Sequence, residues 1–482
     1  SITFTVPKTT PAGTYRIYGG YLDVTHRSGG YEWLDVYANF YKMEISDLTI
    51  TVLKGDIETV EDLIDAIGAD VTLNSEEAIT AAKAAYDALS DEDKALVDTD
   101  KVAALNAAVA KLNSLKHADL ANRLNNIYTT TGDYLASLGT PSVGSIGGEW
   151  MALGLARSGR TVPGGYYDAV VAYVQAHADA NERLHRSKST DNSRLILALT
   201  AIGKDVTNVG GHDLLKGLDN MAYIQKQGIN GPIFALIALD SHNYPTSGDV
   251  TREKLVQTIL DAALENGGWA LSGTDADVDM TAMAIQALAP YYSTNEAVKA
   301  AVDKALDVIS NAQLPTGGFA SWGSENSESC AQVIVALTAL GIDPATDSRF
   351  VKDGLTVLDA LAGFFVDGGG FRHVANGDRD GMATEQGYYA LAAYARFLSD
   401  FTRLYDMSDV EIKKDSEPTV PTEPSKPTEP EKPTEPSKPT EPTKPGTTPA
   451  TGDVENVAVL VSLCLAAMVG CCAVTGMIRK KH

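Results

Sequence analysis

The sequence predicts a multidomain, mainly α-helical chain, with a small β portion at its start and an extended stalk and apolar segment at its end. Three observations carry this. Between residues 118 and 406 a column of leucines, Leu155, Leu199, Leu239, Leu288, Leu337 and Leu391, recurs at intervals of about 40 to 54 residues, the size of a helical hairpin. Residues 1–53 are rich in Tyr, Val, Ile and Thr between turn signals, a strand composition. Residues 457–478 form an apolar run followed by Arg479, Lys480 and Lys481, the pattern of a membrane span with cytoplasmic cations.

A chain of 482 residues has room for about two to four domains. Its net charge of −24, with no basic stripe outside the extreme tail, argues against a nucleic-acid function, because phosphate binding needs clustered Lys and Arg. The acidity reads as a soluble, self-repelling surface. Of the four cysteines, Cys464, Cys471 and Cys472 lie in the apolar tail, so Cys330 stands alone in the rest of the chain. Neither a disulfide framework nor a Cys-rich metal site is expected there. An exported protein of a Gram-positive envelope fits that count, and a cytosolic protein fits it equally.

Residues 1–53 are read as the C-terminal part of a β-sandwich-like domain, entered at Ser1 in mid-domain, with strands near Thr14–Tyr18, Trp33–Tyr37 and Leu48–Val52. Its aromatics fit either sandwich core or a glycan-binding face. Residues 56–116 are read as a small helical spacer bundle. One helix there is capped by Asn74 or Ser75, carries Glu76 and Glu77 in its first turn, and presents Ala78, Ala81, Ala82, Ala85 and Leu89 as a stripe. Another is expected over Lys101–Leu115.

The main domain is placed at 118–410. The residue before each anchor leucine is small (Gly154, Ala198, Ala238, Ala287, Ala336, Ala390), which predicts close helix packing. Glycine clusters precede several of these helices: Gly267-Gly268-Trp269, Gly317-Gly318-Phe319 and Gly368-Gly369-Gly370-Phe371 read as tight turns that deliver an aromatic onto the next helix. The stretches DVDMTAMAIQALAP, GGFASWGSENSESCAQVIVALTALGIDP and GGGFRHVANGDRDGMATEQGYYALAAY resemble the prenyltransferase and squalene-cyclase repeat superfamily, above all its bacterial cell-surface members, and more distantly the cobalamin carrier proteins. The resemblance implies an α/α toroid of about six helical hairpins around a central cavity.

Residues 415–447 are a Pro-rich linker, PTEPSKPTEPEKPTEPSKPTEPTKP and its flanks. Proline at this density blocks helix and sheet, and about thirty extended residues span on the order of 90 Å, enough to carry a domain through a thick wall. Residues 448–482 follow, with Thr448-Pro449-Ala450-Thr451-Gly452, a transmembrane helix over 457–478 and the basic end. This order resembles the sortase sorting signal, with Thr448 where that signal carries leucine. The resemblance implies cleavage between Thr451 and Gly452 and attachment to peptidoglycan.

The main domain carries partial matches to four chemistries. Asp277-Val278-Asp279-Met280 matches three positions of the cyclase motif Asp-x-Asp-Asp, with Asp279 at the proton donor and Met280 replacing the last acid. The competing reading makes Asp279 the cap of its helix. A zinc site of the prenyltransferase kind lacks a histidine near Cys330 or Glu385. A thioester needs Gln three residues after the cysteine, whereas Gln332 comes two after Cys330, which reads as a small packing residue in the column of Thr281 and Thr384. The acidic loops Asp275–Asp279 and Asn376–Gly381 lack the closing acid of a calcium loop. No cofactor is expected.

Two columns point to binding. Five residues before the leucines stand Trp150, Arg194, Phe234, Met283, Gln332 and Gln386; nine before stand Ile146, Thr190, Asn230, Asp279, Glu328 and Met382. Four residues apart, the columns share a helix face. That face reads either as the lining of a ligand pocket, with Asp279 and Glu328 among its members, or as core with satisfied polar groups. The expected function is therefore a cell-wall-anchored surface protein that binds a small hydrophobic or corrinoid-like ligand, or a host surface, without catalysis. A terpene-cyclase-like enzyme using Asp279, and a structural adhesin head, are the alternatives. If the tail is a sorting signal, Thr451→Ala or Gly452→Ala should shift the protein from the wall fraction to the membrane fraction. Wall attachment equal to the parent's would refute it.

Overall fold

The computed structural model describes residues 55–413 except Ser145, together with four short strands nearer the start. The chain is mainly α-helical and divides into two compact units, Ser1–Ala118 and Asp119–His482. The linker 415–447, the motif Thr448–Gly452 and the apolar segment 457–478 lie outside the described residues, as does the strand predicted over Trp33–Tyr37. Among the described residues no helix is long and apolar enough to cross a membrane.

In the first unit β1 (Gly13–Ile17) pairs antiparallel with β4 (Leu48–Val52), Gly13 opposite Val52, so two of the predicted strands are each other's partners. Between them β2 (His26–Arg27) and β3 (Gly30–Tyr31) form a hairpin. The helices are α1 (Asp56–Ile67), α2 (Glu76–Ala88), α3 (Asp91–Lys94) and the first part of α4 (Thr99–Ser137), whose residues from Asp119 on belong to the second unit. Val60 and Ile64 of α1 pack on Ala82, Leu89, Val97 and Leu105. The predicted stripe on α2 is rotated: Ala81 is exposed, and Ile79 and Ala82 are buried. Ser75 stands at the N-cap of α2 without capping it, because its hydroxyl accepts from Thr72 N in the preceding turn. The helix predicted over Lys101–Leu115 is part of α4, which runs on to Ser137 because neither glycine nor proline interrupts it before Gly132.

The second unit contains α5 (Glu149–Arg157), α6 (Tyr166–His177), α7 (Thr190–Ala201), α8 (Met221–Ile224), α9 (Asn230–Asp240) and α10 (Arg252–Asp261). It continues with α11 (Val278–Leu288), α12 (Glu296–Ala312), α13 (Ser327–Ala339), α14 (Val357–Gly363) and α15 (Gly381–Leu398). Three two-stranded hairpins lie between the later helices: β5 (Ala320–Ser321) with β6 (Ser324–Glu325), β7 (Val351–Lys352) with β8 (Leu355–Thr356), and β9 (Phe371–Arg372) with β10 (Arg379–Asp380).

Six helices carry the leucine column, and they pack in a closed cycle: α5 on α7, α7 on α9, α9 on α11, α11 on α13, α13 on α15, and α15 back on α5. All six leucines are buried in one core. The small residue beside each leucine permits close approach. At Gly154 an added Cβ would lie 3.1 Å from Tyr388 Cδ1, so a larger residue would require the Tyr388 ring to give way by a few tenths of an ångström. Outside the cycle α10 packs on α9, α12 on α11 and α14 on α13. Between α7 and α9 the outer element is only a short turn at Leu214–Leu218 and the single turn α8. This is the shortest interval between anchor leucines, and the approach to it spends Gly210, Gly211 and Gly217 on turns.

The C-terminal ends of the cycle gather under the segment 399–413. Arg157 Nε, at the end of α5, donates to Leu404 O at 2.9 Å, and its guanidinium meets Asp409 at 2.8 Å. Arg396 of α15 reaches the same Asp409. Met407 N donates to Ser241 O past α9, and Lys413 N donates to Gly203 O past α7.

Candidate functional site

The loops entering α11, α13 and α15 share one construction. In each, the last residue of a tight four-residue turn donates back across it: Gly267 N to Leu264 O, Gly317 N to Leu314 O, Gly369 N to Val366 O. Gly317 has φ +81°, and a Cβ there would fall 2.3 Å from Thr356 O, so the turn requires glycine. The aromatic that follows, Trp269, Phe319 or Phe371, is fully buried. Its backbone is tied to the helix it precedes. Trp269 N donates to Thr281 Oγ1 at 2.9 Å and Phe371 N to Thr384 Oγ1 at 3.0 Å. In the third copy the Cys330 thiol sits against the Phe319 backbone, and burial pushes it up to about 12, so it packs and does not react.

The next residue in the construction is the helix cap. Asp277 Oδ1 accepts from Met280 N at 2.9 Å, Asn326 from Ser329 N at 2.8 Å, and Asp380 from Ala383 N at 2.9 Å. These three share a column eleven residues before the anchor leucine. The cap reading of Asp279 is therefore corrected. Asp277 fills that role two residues earlier, where the chain is still extended (ψ 135°), whereas Asp279 already lies in the first helical turn. Asp277 Oδ2 accepts in addition from Ser321 Oγ at 2.7 Å.

With the caps fixed, the next positions of the three helices face a common space. A cavity of about 350 Å³ is lined by Asp279 and Met283 of α11, Glu328 and Gln332 of α13, and Met382 and Gln386 of α15. Ser321, Trp322 and Ser324 of the β5–β6 hairpin, with Asn326 and His373, complete it. These are the two predicted columns on three successive helices. His373 Nδ1 lies 2.8 Å from Glu328 Oε2, which also accepts from Ser327 Oγ. Gln332 Nε2 donates to Gln386 Oε1 and to Tyr389 Oη, and Gln332 Oε1 accepts from Gln286. Asp279 differs from them. Its Oδ1 is buried without a hydrogen-bond partner among the described residues. Burial raises its carboxyl, the Asp277 and Glu328 charges add to that, and the hydroxyls of Ser329 and Ser321 offset part of it.

The other predicted residues lie elsewhere. Trp150 of α5 packs against Phe234 of α9 and Tyr389 of α15, each ring centroid at 5.9 Å. Helices α5 and α9 are not neighbours in the cycle, so these rings meet in its interior and not at the cavity. Arg194 is held by Asp191 at 2.9 Å and faces Glu149 at 3.6 Å. Beside them Glu385 accepts from Gly147 N, and burial with the Glu149 charge pushes its carboxyl up to about 7. Sequence reasoning did not find Trp322 or His373, which lie in loops outside the helical columns. Nor did it find the cap column, although Asp277, Asn326 and Asp380 were legible as one.

A second cavity, about 450 Å³, lies at the C-terminal ends of the cycle beside Tyr405 and Arg403. Its polar groups satisfy one another: Arg252 bonds Asp240 at 2.6 Å, and Tyr291 Oη donates to the other oxygen of that carboxylate. The smaller cavity is the better candidate because an unpaired acid lines it. No cluster of His, Cys, Asp or Glu suited to a metal ion occurs among the described residues. Compared with protein-family models and with curated proteins, the chain matches none.

Two outcomes follow for stability. Asp277→Ala should cost about 0.5–2 kcal/mol through loss of the cap, whereas Asp279→Ala, which removes a half-buried carboxyl whose Oδ1 is unpaired among the described residues, should be neutral or stabilising in urea titration. The reverse order would restore Asp279 as the cap. Glu385 has a folded value near 7 against an ordinary 4.5, so the folded state holds its proton more tightly than the unfolded chain. The associated stability is complete below about pH 4.5 and is lost as pH rises through about 7. Glu385→Gln should flatten this slope and make the protein more stable than the parent at pH 8, by on the order of 2–3 kcal/mol. An unchanged slope would refute the assignment.

Proposed function

We propose that this chain is a cell-wall-anchored surface protein of a Gram-positive bacterium whose helical cycle is an α/α toroid that binds a ligand at one end without catalysis. The cyclic packing of the six leucine-bearing helices supports the toroid reading. The Pro-rich stretch, the Thr448–Gly452 motif, the apolar run and the basic end, in that order, support the anchoring by sortase to peptidoglycan. The observation that carries the binding reading is the cavity at the entry of α11, α13 and α15, where Asp279 Oδ1 is buried without a partner among the described residues, beside a hydrogen-bonded Glu328–His373 pair. A buried acceptor oxygen without a hydrogen bond among the described residues leaves one that a ligand would complete.

A second reading, a terpene-cyclase-like enzyme, draws on the same residue. Asp279 is free of the capping role and lies against the cavity, as a proton donor must. The adhesin-head reading assigns the cavity no occupant.

The test uses the full chain purified from producing cells and its Met283→Trp variant, whose indole fills the cavity. Native mass spectrometry of the parent should detect a small non-covalent adduct, retained from the cells or acquired from their small-molecule extract, and the variant should lack it. A parent that carries and acquires none would leave the adhesin head. Conversion of squalene by the parent, lost in Asp279→Asn, would establish the enzyme.

A further inference from the structure

Trp322 is the most exposed large apolar side chain among the described residues, at 89 %. It occupies the two-residue turn between β5 and β6, with φ +53°, followed by Gly323 at φ +85°. Turns of this kind favour Asn-Gly, and a bulky residue in the left-handed region is disfavoured there. Trp322 buries almost nothing in exchange. Its indole stands instead at the rim of the cavity that Asp279 lines.

We propose that this cavity binds carbohydrate, with a sugar ring stacked on the Trp322 indole and its hydroxyls hydrogen-bonded to Asp279 and Gln386. The inference rests on the reading of this cavity as a binding site and names its ligand class. The polar inventory selects that class. Asp279 lines the cavity, and its Oδ1 has no hydrogen-bond partner among the described residues. Gln386 Oε1 already accepts from Gln332 Nε2, so Gln386 offers its amide hydrogens. A wall with both an acceptor and a donor suits hydroxyls, which donate and accept at once.

A cation would need acceptors alone and, for a quaternary ammonium, an aromatic cage. Here Trp322 is the single indole or phenyl ring in the lining, Glu328 is engaged by His373, and both oxygens of Asp277 are bonded already. A hydrocarbon chain fits no better, because Met283 and Met382 are the only aliphatic side chains in the lining. The volume, about 350 Å³, falls at the lower end of small-ligand pockets, and the open rim leaves room for a longer saccharide to continue outward past Trp322.

The full chain is applied to an array of neutral and acidic glycans, and the strongest ligand is titrated by calorimetry against the parent, Trp322→Ala, Trp322→Phe and Asp279→Asn. Choline chloride is titrated in parallel as the cation probe. Trp322 stands in an exposed turn, so its variants should fold, which circular dichroism checks. We expect Trp322→Ala to weaken binding at least about tenfold, Trp322→Phe to retain most of it, and Asp279→Asn to weaken it several-fold. Choline binding that Trp322→Ala abolishes would overturn the proposal in favour of a cation. Glycan binding indifferent to Trp322→Ala would also overturn it. No glycan bound, while the native adduct is still lost in Met283→Trp, would overturn the sugar assignment and leave the binding reading standing.

Discussion

The tie between a buried aromatic's backbone and the fourth residue of the following helix is the constraint on which the rest of the second unit depends. Trp269 bound to Thr281, and Phe371 bound to Thr384, each lock a loop to a helix at two points, the hydroxyl and the cap. Two points fix the rotation of the helix about its axis as well as its height. Successive residues on a helix point about 100° apart, so a one-residue change of register would turn Asp279 and Met283 away from their present space. The aromatic makes the lock durable, because full burial of such a side chain stabilises by roughly 1.5–3 kcal/mol. Three copies of the lock on adjacent helices place three pairs of side chains around one cavity.

The two ends of the helical cycle treat their polar groups in opposite ways. At the C-terminal ends Arg157 is nearly buried, yet every one of its donor nitrogens finds an acceptor in Leu404, Asp409, Thr402, Arg403 or Asp406. Burial pulls its guanidinium down to about 10, the Arg396 charge adds to that, and Asp409 works against both. Asp409 in turn is raised by burial and brought below the usual carboxylate range by Arg157 and Arg396. That end is satisfied internally and behaves as structure. At the N-terminal ends Asp279 Oδ1 and Ser329 Oγ are buried and unpaired. An orphan acceptor costs free energy, and such a cost persists in a fold when something else offsets it.

Much of this was readable from residue spacing. The leucine and small-residue columns located the six packed helices, since their period is set by hairpin length and survives changes in the loops. The two polar columns located half of their members at the cavity. Of the other half, Trp150, Arg194 and Phe234 went into interior packing and an acidic cluster, because a column fixes which face a residue occupies and not what fills the space before it. Asp279 was mistaken for a cap because Asp277 and Asp279 meet the same local preference. Only comparison with Asn326 and Asp380 separates them. Trp322 was illegible for another reason: a Trp beside Gly in a short hairpin has no periodic partner to say whether it faces inward or outward. The segment 399–413 was equally hidden, since its binding to Arg157 spans about 250 residues of sequence.

The chemistry of Asp279 bears on whether the site transforms what it holds. Protonating an alkene requires a strong acid, made by neighbours that stabilise the carboxylate left behind. The neighbours here act in the other direction. Burial, Asp277 and Glu328 all favour the protonated form, and only serine hydroxyls oppose them. The nearest basic side chain in the lining, His373, is engaged with Glu328. A carboxyl raised in this way is a weak acid, and in its neutral form it both donates and accepts a hydrogen bond. Such a group holds a hydroxyl well and gives up a proton to carbon poorly. The electrostatics around Asp279 therefore suit recognition better than proton transfer, and they do so through the same two residues, Asp277 and Glu328, that build the cap and close the cavity wall.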